Sequence, residues 1–285
     1  MGEIVLAAKC THVPTMLMSE QPGRLHGTRQ PAIDGHLEIA RRAKALGADT
    51  VVICDTHWVV NAGYHINANH RFKGLFTSNE FPQFIQDLAY EYQGNAALGD
   101  LIAKKAMEKD VFTLSHQVDS LELEYGTLVP MRFMSREADF KVVSIAAWCT
   151  VHSYDTSRKI GEAIREAIEE SDSKVLLVAS GSLSHKIWSN DDYEANNGTF
   201  TISSDFNRQM DLHVLEMWKQ GDIATFIKML PEYAEKCSGE GLMHDTVMLL
   251  GALGWDKYTG KGEIVTPYFP SSGTGQVNVI FPVQP

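Results

Sequence analysis

Three histidines, His12, His57 and His185, each follow a short apolar run, and one acid, Glu240, stands between two glycines. The runs are EIVLAAK at 3–9, TVVIC at 50–54 and KVLLVAS at 174–180. Each reads as a buried strand, so each histidine is expected at a strand exit. In open α/β sheets, ligands bind beyond the carboxyl ends of strands. A single histidine there is more often a hydrogen-bonded structural residue. Three of them at three exits argue for a shared site. Two histidines and a carboxylate on one face of a metal leave open positions, the donor set of non-haem Fe(II) oxygenases. The same donors would serve a zinc hydrolase that activates water. On pattern alone, Glu240 reads equally well as a helix-start acid favoured by the helix dipole.

The segment 174–185, KVLLVASGSLSH, also invites a serine-nucleophile reading. The G-x-S-x-G elbow needs a serine two residues after its first glycine and a second glycine two further on. Counted from Gly181, those places hold Leu183 and His185, so the elbow fails. Asp55, two residues before His57, is a candidate for orienting a ligand histidine. It reads equally as a turn-forming residue at a strand end.

The elements that must position these groups alternate between strand and helix. After the first strand, 19–31 (SEQPGRLHGTRQP) reads as a long loop. Residues 32–46 then carry Ile33, Leu37, Ala40, Ala43 and Leu46 at helical spacing, with Gly47 as the stop. Segments 84–92 and 95–109 are predicted helical, 111–114 and 140–148 strands, and 156–170 an amphipathic helix capped by Asp155. Helices follow at 203–220, 223–230 and 241–253, the last capped by Ser238, and strands at 263–269 and 276–281 close the chain. The fold class is α/β: a single domain over 1–285, with a mostly parallel or mixed central sheet flanked by helices.

Composition bounds the partners. The 285 residues are 44% hydrophobic and 21% charged, as in an ordinary globular protein. The net charge of −11 argues against a general binder of nucleic acid or anionic membranes. No apolar run approaches the roughly 20 residues of a membrane helix. The 4 cysteines are scattered, with no C-x-x-C pair, and read as buried free thiols of a cytoplasmic protein.

In their order along the chain, these motifs resemble the class III extradiol ring-cleaving dioxygenases, the superfamily of the protocatechuate 4,5-dioxygenase catalytic subunit. The resemblance rests on Thr11-His12-Val13-Pro14, Asp55-Thr56-His57-Trp58, Ser180-Gly181-Ser182-Leu183-Ser184-His185 and Glu240-Gly241. Further stretches (LEYGTLVPMR at 123–132, SSGTGQVN at 271–278) extend it along nearly the whole chain, towards members acting on a catechol with a carboxymethyl group. It implies that His12, His57 and Glu240 hold Fe(II), with Mn(II) as the alternative loading. It implies that His185 is the acid/base, a role suited to an imidazole that titrates near neutrality. The partners it implies are a small catechol and O2, with opening of the ring to a muconate-semialdehyde-type product in aromatic catabolism. Another catechol or an aminophenol is the alternative substrate, and a homo-oligomer is the expected assembly.

One position departs from the family pattern. Many members carry His-Gly where this chain has Tyr125-Gly126. Tyr125 bonding the substrate and His116 reaching in from upstream are the two candidate replacements. For the substrate's carboxylate the candidates are His26 and Arg29, in the loop after the first strand, and Lys186.

Overall fold

The computed structural model describes residues 1–283. Its first half runs β1 (Glu3–Cys10), α1 (Thr15–Glu20), α2 (Gln30–Ala45), β2 (Thr50–Val59), β3 (Tyr64–Asn67), β4 (Arg71–Phe76), β5 (Leu88–Gln93), α3 (Ala96–Glu108), β6 (Thr113–His116) and α4 (Tyr125–Met134). The second half runs β7 (Lys141–Trp148), α5 (Tyr154–Glu170), β8 (Lys174–Ser180), α6 (Asn190–Tyr193), α7 (Asp205–Gln220), α8 (Ile223–Lys236), α9 (His244–Leu253), β9 (Glu263–Ser271) and β10 (Thr274–Phe281). Eight strands form one mixed sheet in the order β6-β3-β7-β2-β8-β1-β10-β9, and β4 and β5 pair separately. The four inner strands β7, β2, β8 and β1 are parallel, and β10 and β9 add antiparallel edges beside β1. The expected single α/β domain is therefore what forms.

Helices cover both faces of the sheet, which is why its central strands read as unbroken apolar runs. Along β2, Val52 and Cys54 face the core under α3, α5 and α9, while Val51 and Ile53 face the core under α2 and α4. Leu177 and Ala179 against Leu176 and Val178 repeat the alternation on β8. Helix α5 buries Ile160, Ala163, Ile164, Ala167 and Ile168, the predicted stripe. Burial of each of the isoleucines in this stripe stabilises the fold by roughly 1.5–3 kcal/mol. All four cysteines are free and buried. Among the described residues, no helix is long and apolar enough to cross a membrane.

Several boundaries differ from the sequence reading. Residues 88–93 form a strand, not a helix, because β4 supplies an antiparallel partner across the whole segment. Helix α1 forms where a loop was expected to begin. Ser153, not Asp155, caps α5, its Oγ accepting from the Thr156 amide at 3.1 Å. Helix α8 runs on through Pro231 to Lys236. The expected helix from 241 starts only at His244, and a 3-10 turn, Glu240–Met243, precedes it. Ser238 does not cap it; its φ is +53°.

His36 and His244 are both buried, and burial pushes each down to about 4. In the unfolded chain they titrate near ~6.5. Between those values the unfolded state binds protons that the folded state refuses, so stability falls with falling pH. At about 1.36 kcal/mol per pKa unit, each group costs roughly 3 kcal/mol once the pH is below both values. The urea midpoint should drop progressively as the pH falls from about 6.5 towards 4. A level profile across that window would contradict the assignment.

Candidate metal centre

β1 delivers His12 to the sheet's carboxyl edge. The Thr11 amide donates to Asn278 Oδ1 at 2.9 Å, and the Thr11 hydroxyl donates to Gln276 Oε1 at 2.5 Å, so β10 fixes the direction of the exit. His12 Nδ1 lies 2.9 Å from Ser180 Oγ. The Ser180 hydroxyl donates to the Gly126 carbonyl at 2.5 Å, so it must accept from His12. Nδ1 therefore carries the proton, and the Nε2 lone pair is free.

His57 lies within β2, which continues past the predicted exit to Val59. Its Nδ1 is 2.9 Å from Glu80 Oε1, an oxygen that can only accept, so here too Nε2 is left free. Asp55, for which contact with this ring is one of two readings of the sequence, bonds to the backbone instead. Its Oδ1 accepts from the His57 backbone amide at 2.8 Å and its Oδ2 from the Thr127 hydroxyl at 2.7 Å. It thus fixes the backbone that carries the ligand. A Cβ on Gly126 would sit 2.1 Å from Asp55 Oδ1, which explains the glycine after Tyr125.

Glu240 completes the set. Its Oε1 lies 3.1 Å from His12 Nε2 and 3.2 Å from His57 Nε2. One ligand atom from each of the three residues lies within 4.8 Å of the others. The Thr56 hydroxyl reaches the same oxygen at 2.5 Å, and the Ser182 amide donates to Oε2 at 2.5 Å. Burial alone would raise the Glu240 pKa, but the facing imidazoles of His12 and His185 outweigh it and hold the carboxyl well below its usual range. Burial would likewise lower His57; the Glu240 and Glu80 carboxylates overcome it and push His57 up to about 10.

Two imidazole nitrogens and a carboxylate oxygen thus converge in a buried place. Positive charge must lie between them, either as protons on the ring nitrogens, which the rise at His57 reflects, or as a metal ion in their place. The donor set fits a divalent metal, with the second ring nitrogens already anchored in the way that fixes ligand tautomers.

The surrounding pocket is lined on its apolar side by Val13, Pro14, Phe81, Phe84 and Ile187, and it contains His185 and Tyr125. A larger cavity that shares Glu240 and His185 is lined by Trp148, His152, Tyr154 and His244. His185 Nδ1 is 2.7 Å from Ser182 Oγ and 3.3 Å from Glu240 Oε2. Tyr125 packs on the His57 ring with centroids 3.8 Å apart, and its hydroxyl donates to Glu80 Oε2 at 3.3 Å. Burial, reinforced by the Glu80 carboxylate, raises the Tyr125 phenol well above its usual value.

Of the remaining sequence candidates, His116, His26 and Lys186 lie outside the pocket lining. His116 stacks on His65 with rings 5.0 Å apart, at the β6 edge of the sheet, because parallel pairing of β3 with β6 brings the two side by side. His26 is exposed, its Nδ1 3.2 Å from the Gln21 carbonyl. Lys186 is exposed and lies outside the pocket lining. Arg29 is buried, bonded to two residues of the pocket wall, Thr15 and Ser271. Glu80, which anchors His57, escaped the sequence reading because it lies in a loop with no periodic pattern. The Lys9–Asp245 pair, fully buried at 2.5 Å, escaped it too.

The family model for the catalytic LigB subunit of aromatic ring-opening dioxygenase matches residues 6–282. The chain belongs to this family. It is 53% identical to the 3,4-dihydroxyphenylacetate 2,3-dioxygenase of Escherichia coli over 94% of this chain and 97% of that protein. It is 23% identical to the 2-aminophenol 1,6-dioxygenase beta subunit of a Pseudomonas species, over 84% and 82% of the two chains. An uncharacterized Escherichia coli K12 protein of known structure matches with a TM-score of 0.60 at 15% identity, covering 97% of this chain and 99% of its own. That last likeness concerns the fold alone. The zinc hydrolase alternative gives way to ring-opening dioxygenase chemistry.

If Ser180 and Glu80 fix the ligand tautomers, Ser180→Ala and Glu80→Ala should each weaken metal binding by about 10-fold or more, as loss of such outer partners generally does. Competition against a chelator of known affinity checks this. Wild-type affinity in both variants would refute it.

Proposed function

We propose that this protein is an Fe(II)-dependent extradiol dioxygenase that cleaves 3,4-dihydroxyphenylacetate at the 2,3 bond, with Mn(II) as the alternative metal. The observation that carries the substrate is the 53% identity, over nearly the full length of both chains, to an enzyme named for that reaction. The buried set of His12, His57 and Glu240 supports the metal. When bound, Fe(II) supplies the coordination positions for the catechol oxygens and dioxygen and carries the redox step.

The protein's own groups do the rest. The Phe81, Phe84 and Ile187 wall takes the ring and excludes water. The contact of Ser182 with Nδ1 orients His185. Among the described residues none bonds to its Nε2, which leaves that nitrogen to take a catechol proton and return it later in turnover. Tyr125 lines the same pocket and acts through Glu80 on the orientation of His57. The product is a ring-opened muconate semialdehyde that holds both atoms of O2. We place the enzyme in aromatic catabolism in the cytoplasm, as a homo-oligomer.

A second reading, turnover of an aminophenol, rests on the more distant 2-aminophenol relative. Oxygen uptake with a panel of dihydroxyphenylacetate, protocatechuate, catechol and 2-aminophenol separates the two. Fastest turnover is expected with dihydroxyphenylacetate; absence of uptake with any of them would sink the dioxygenase reading. His185→Ala should retain metal while kcat falls by about 100-fold or more, the scale of a lost acid/base. Unchanged kcat would remove His185 from that role.

A further inference from the structure

Arg29 is a buried cation with no acidic partner among the described residues. The residue is 5% exposed. Its Nε donates to Thr15 Oγ1 at 3.0 Å, and one terminal nitrogen donates to the Thr199 carbonyl at 2.7 Å and to Ser271 Oγ at 3.3 Å. The Phe200 and Phe269 rings flank the guanidinium carbon at 5.2 and 5.0 Å. Among the described residues no carboxylate pairs with it. A desolvated charge of this kind is costly unless something compensates it. Burial pushes its pKa down to about 10, which leaves it charged at neutral pH.

The direction of these bonds matters. A guanidinium can only donate. The Thr15 and Ser271 hydroxyls therefore accept from Arg29, and their own protons remain to be given elsewhere. Neither hydroxyl donates to any described residue, and both residues line the pocket that holds His12, His57, Glu240 and His185, Thr15 bordering a second cavity with Tyr193 and Thr199 as well. The neighbouring Thr274 hydroxyl is different. It donates to the Ser271 carbonyl at 2.5 Å and accepts from Gln276 at 2.7 Å, so its proton is already used. The pocket wall thus offers two hydroxyl donors backed by an uncompensated positive charge. That arrangement suits an anionic oxygen.

We propose that Arg29 is a specificity-determining positioning residue, which turns the Thr15 and Ser271 hydroxyls into donors for the carboxylate on the catechol's side chain. The proposal rests on the catechol reading above. It differs from a direct salt bridge, because the arginine acts through the two hydroxyls. It also separates acidic catechols from neutral ones of the same ring, since only the former compensate the buried charge.

The test compares 3,4-dihydroxyphenylacetate with 4-methylcatechol, which lacks the carboxylate, by oxygen uptake on the full metal-loaded enzyme. Arg29→Met should lower the acid-to-neutral ratio of kcat/KM by about 30-fold or more, mainly through KM for the acid. Thr15→Val and Ser271→Ala should each lower it by about 10-fold, in line with loss of one hydrogen bond to a charged group. These two variants keep the arginine and carry the test if Arg29→Met does not fold. Proportional losses on both substrates in the folded variants would overturn the proposal and leave the ring-opening reading standing. Failure of the wild type to consume oxygen with either catechol would sink both.

Discussion

A carboxylate buried at the carboxyl edge of the sheet organises everything around it. Glu240 is 1% exposed and has been taken out of water at a cost that only close donors or cations can offset. The chain meets this demand from several directions. The Ser182 amide and the Thr56 hydroxyl bond to it, and His12, His57 and His185 face it. The same demand explains the local backbone. Gly241, Leu242 and Met243 all have φ between +53° and +65°, a region costly for the two that carry side chains. The Tyr154 hydroxyl secures this turn by donating to the Leu242 carbonyl at 3.0 Å. Strain sits beside the carboxylate of the candidate metal centre.

The parallel centre of the sheet turns this local demand into a site. β1, β2 and β8 are neighbours, so residues far apart in sequence leave the sheet at one edge. Ser180, the last residue of β8, links two of these parts: its hydroxyl holds the His12 ring and is itself held by the Gly126 carbonyl of α4. Beneath the turn that follows, the Lys9–Asp245 pair packs against Gly181, where a Cβ would lie 2.9 Å from Asp245 Oδ2 and 3.1 Å from Lys9 Nζ. Each buried charge requires the other, so the pair ties the start of α9 to β1 next to the ligands.

The departure from the family pattern at Tyr125 gains a physical context. The phenol ring packs on His57, and its hydroxyl meets the carboxylate that anchors that same histidine. The residue touches the ligand layer from behind while lining the pocket in front. A side chain there contacts a candidate metal-holding histidine and the pocket at once.

The sequence by itself determined the fold class and the inner strands, and it singled out His12, His57, Glu240 and His185 as candidates for one site. Fully buried parallel strands must be apolar throughout, and a helix with one buried face must repeat its apolar residues, so both leave marks in the linear order. Only the tertiary structure decided the rest. Residues 88–93 became a strand because β4 lay beside them, not through their own propensity. His116 went to His65 because β3 and β6 pair at the far edge. Glu80 reached His57, and Arg29 reached Thr15 and Ser271, through contacts between loops and distant strands. Such contacts have no period and no fixed spacing. They are set by how the elements pack, which is why single polar residues that orient a ligand or polarise a wall appear only when the chain is folded.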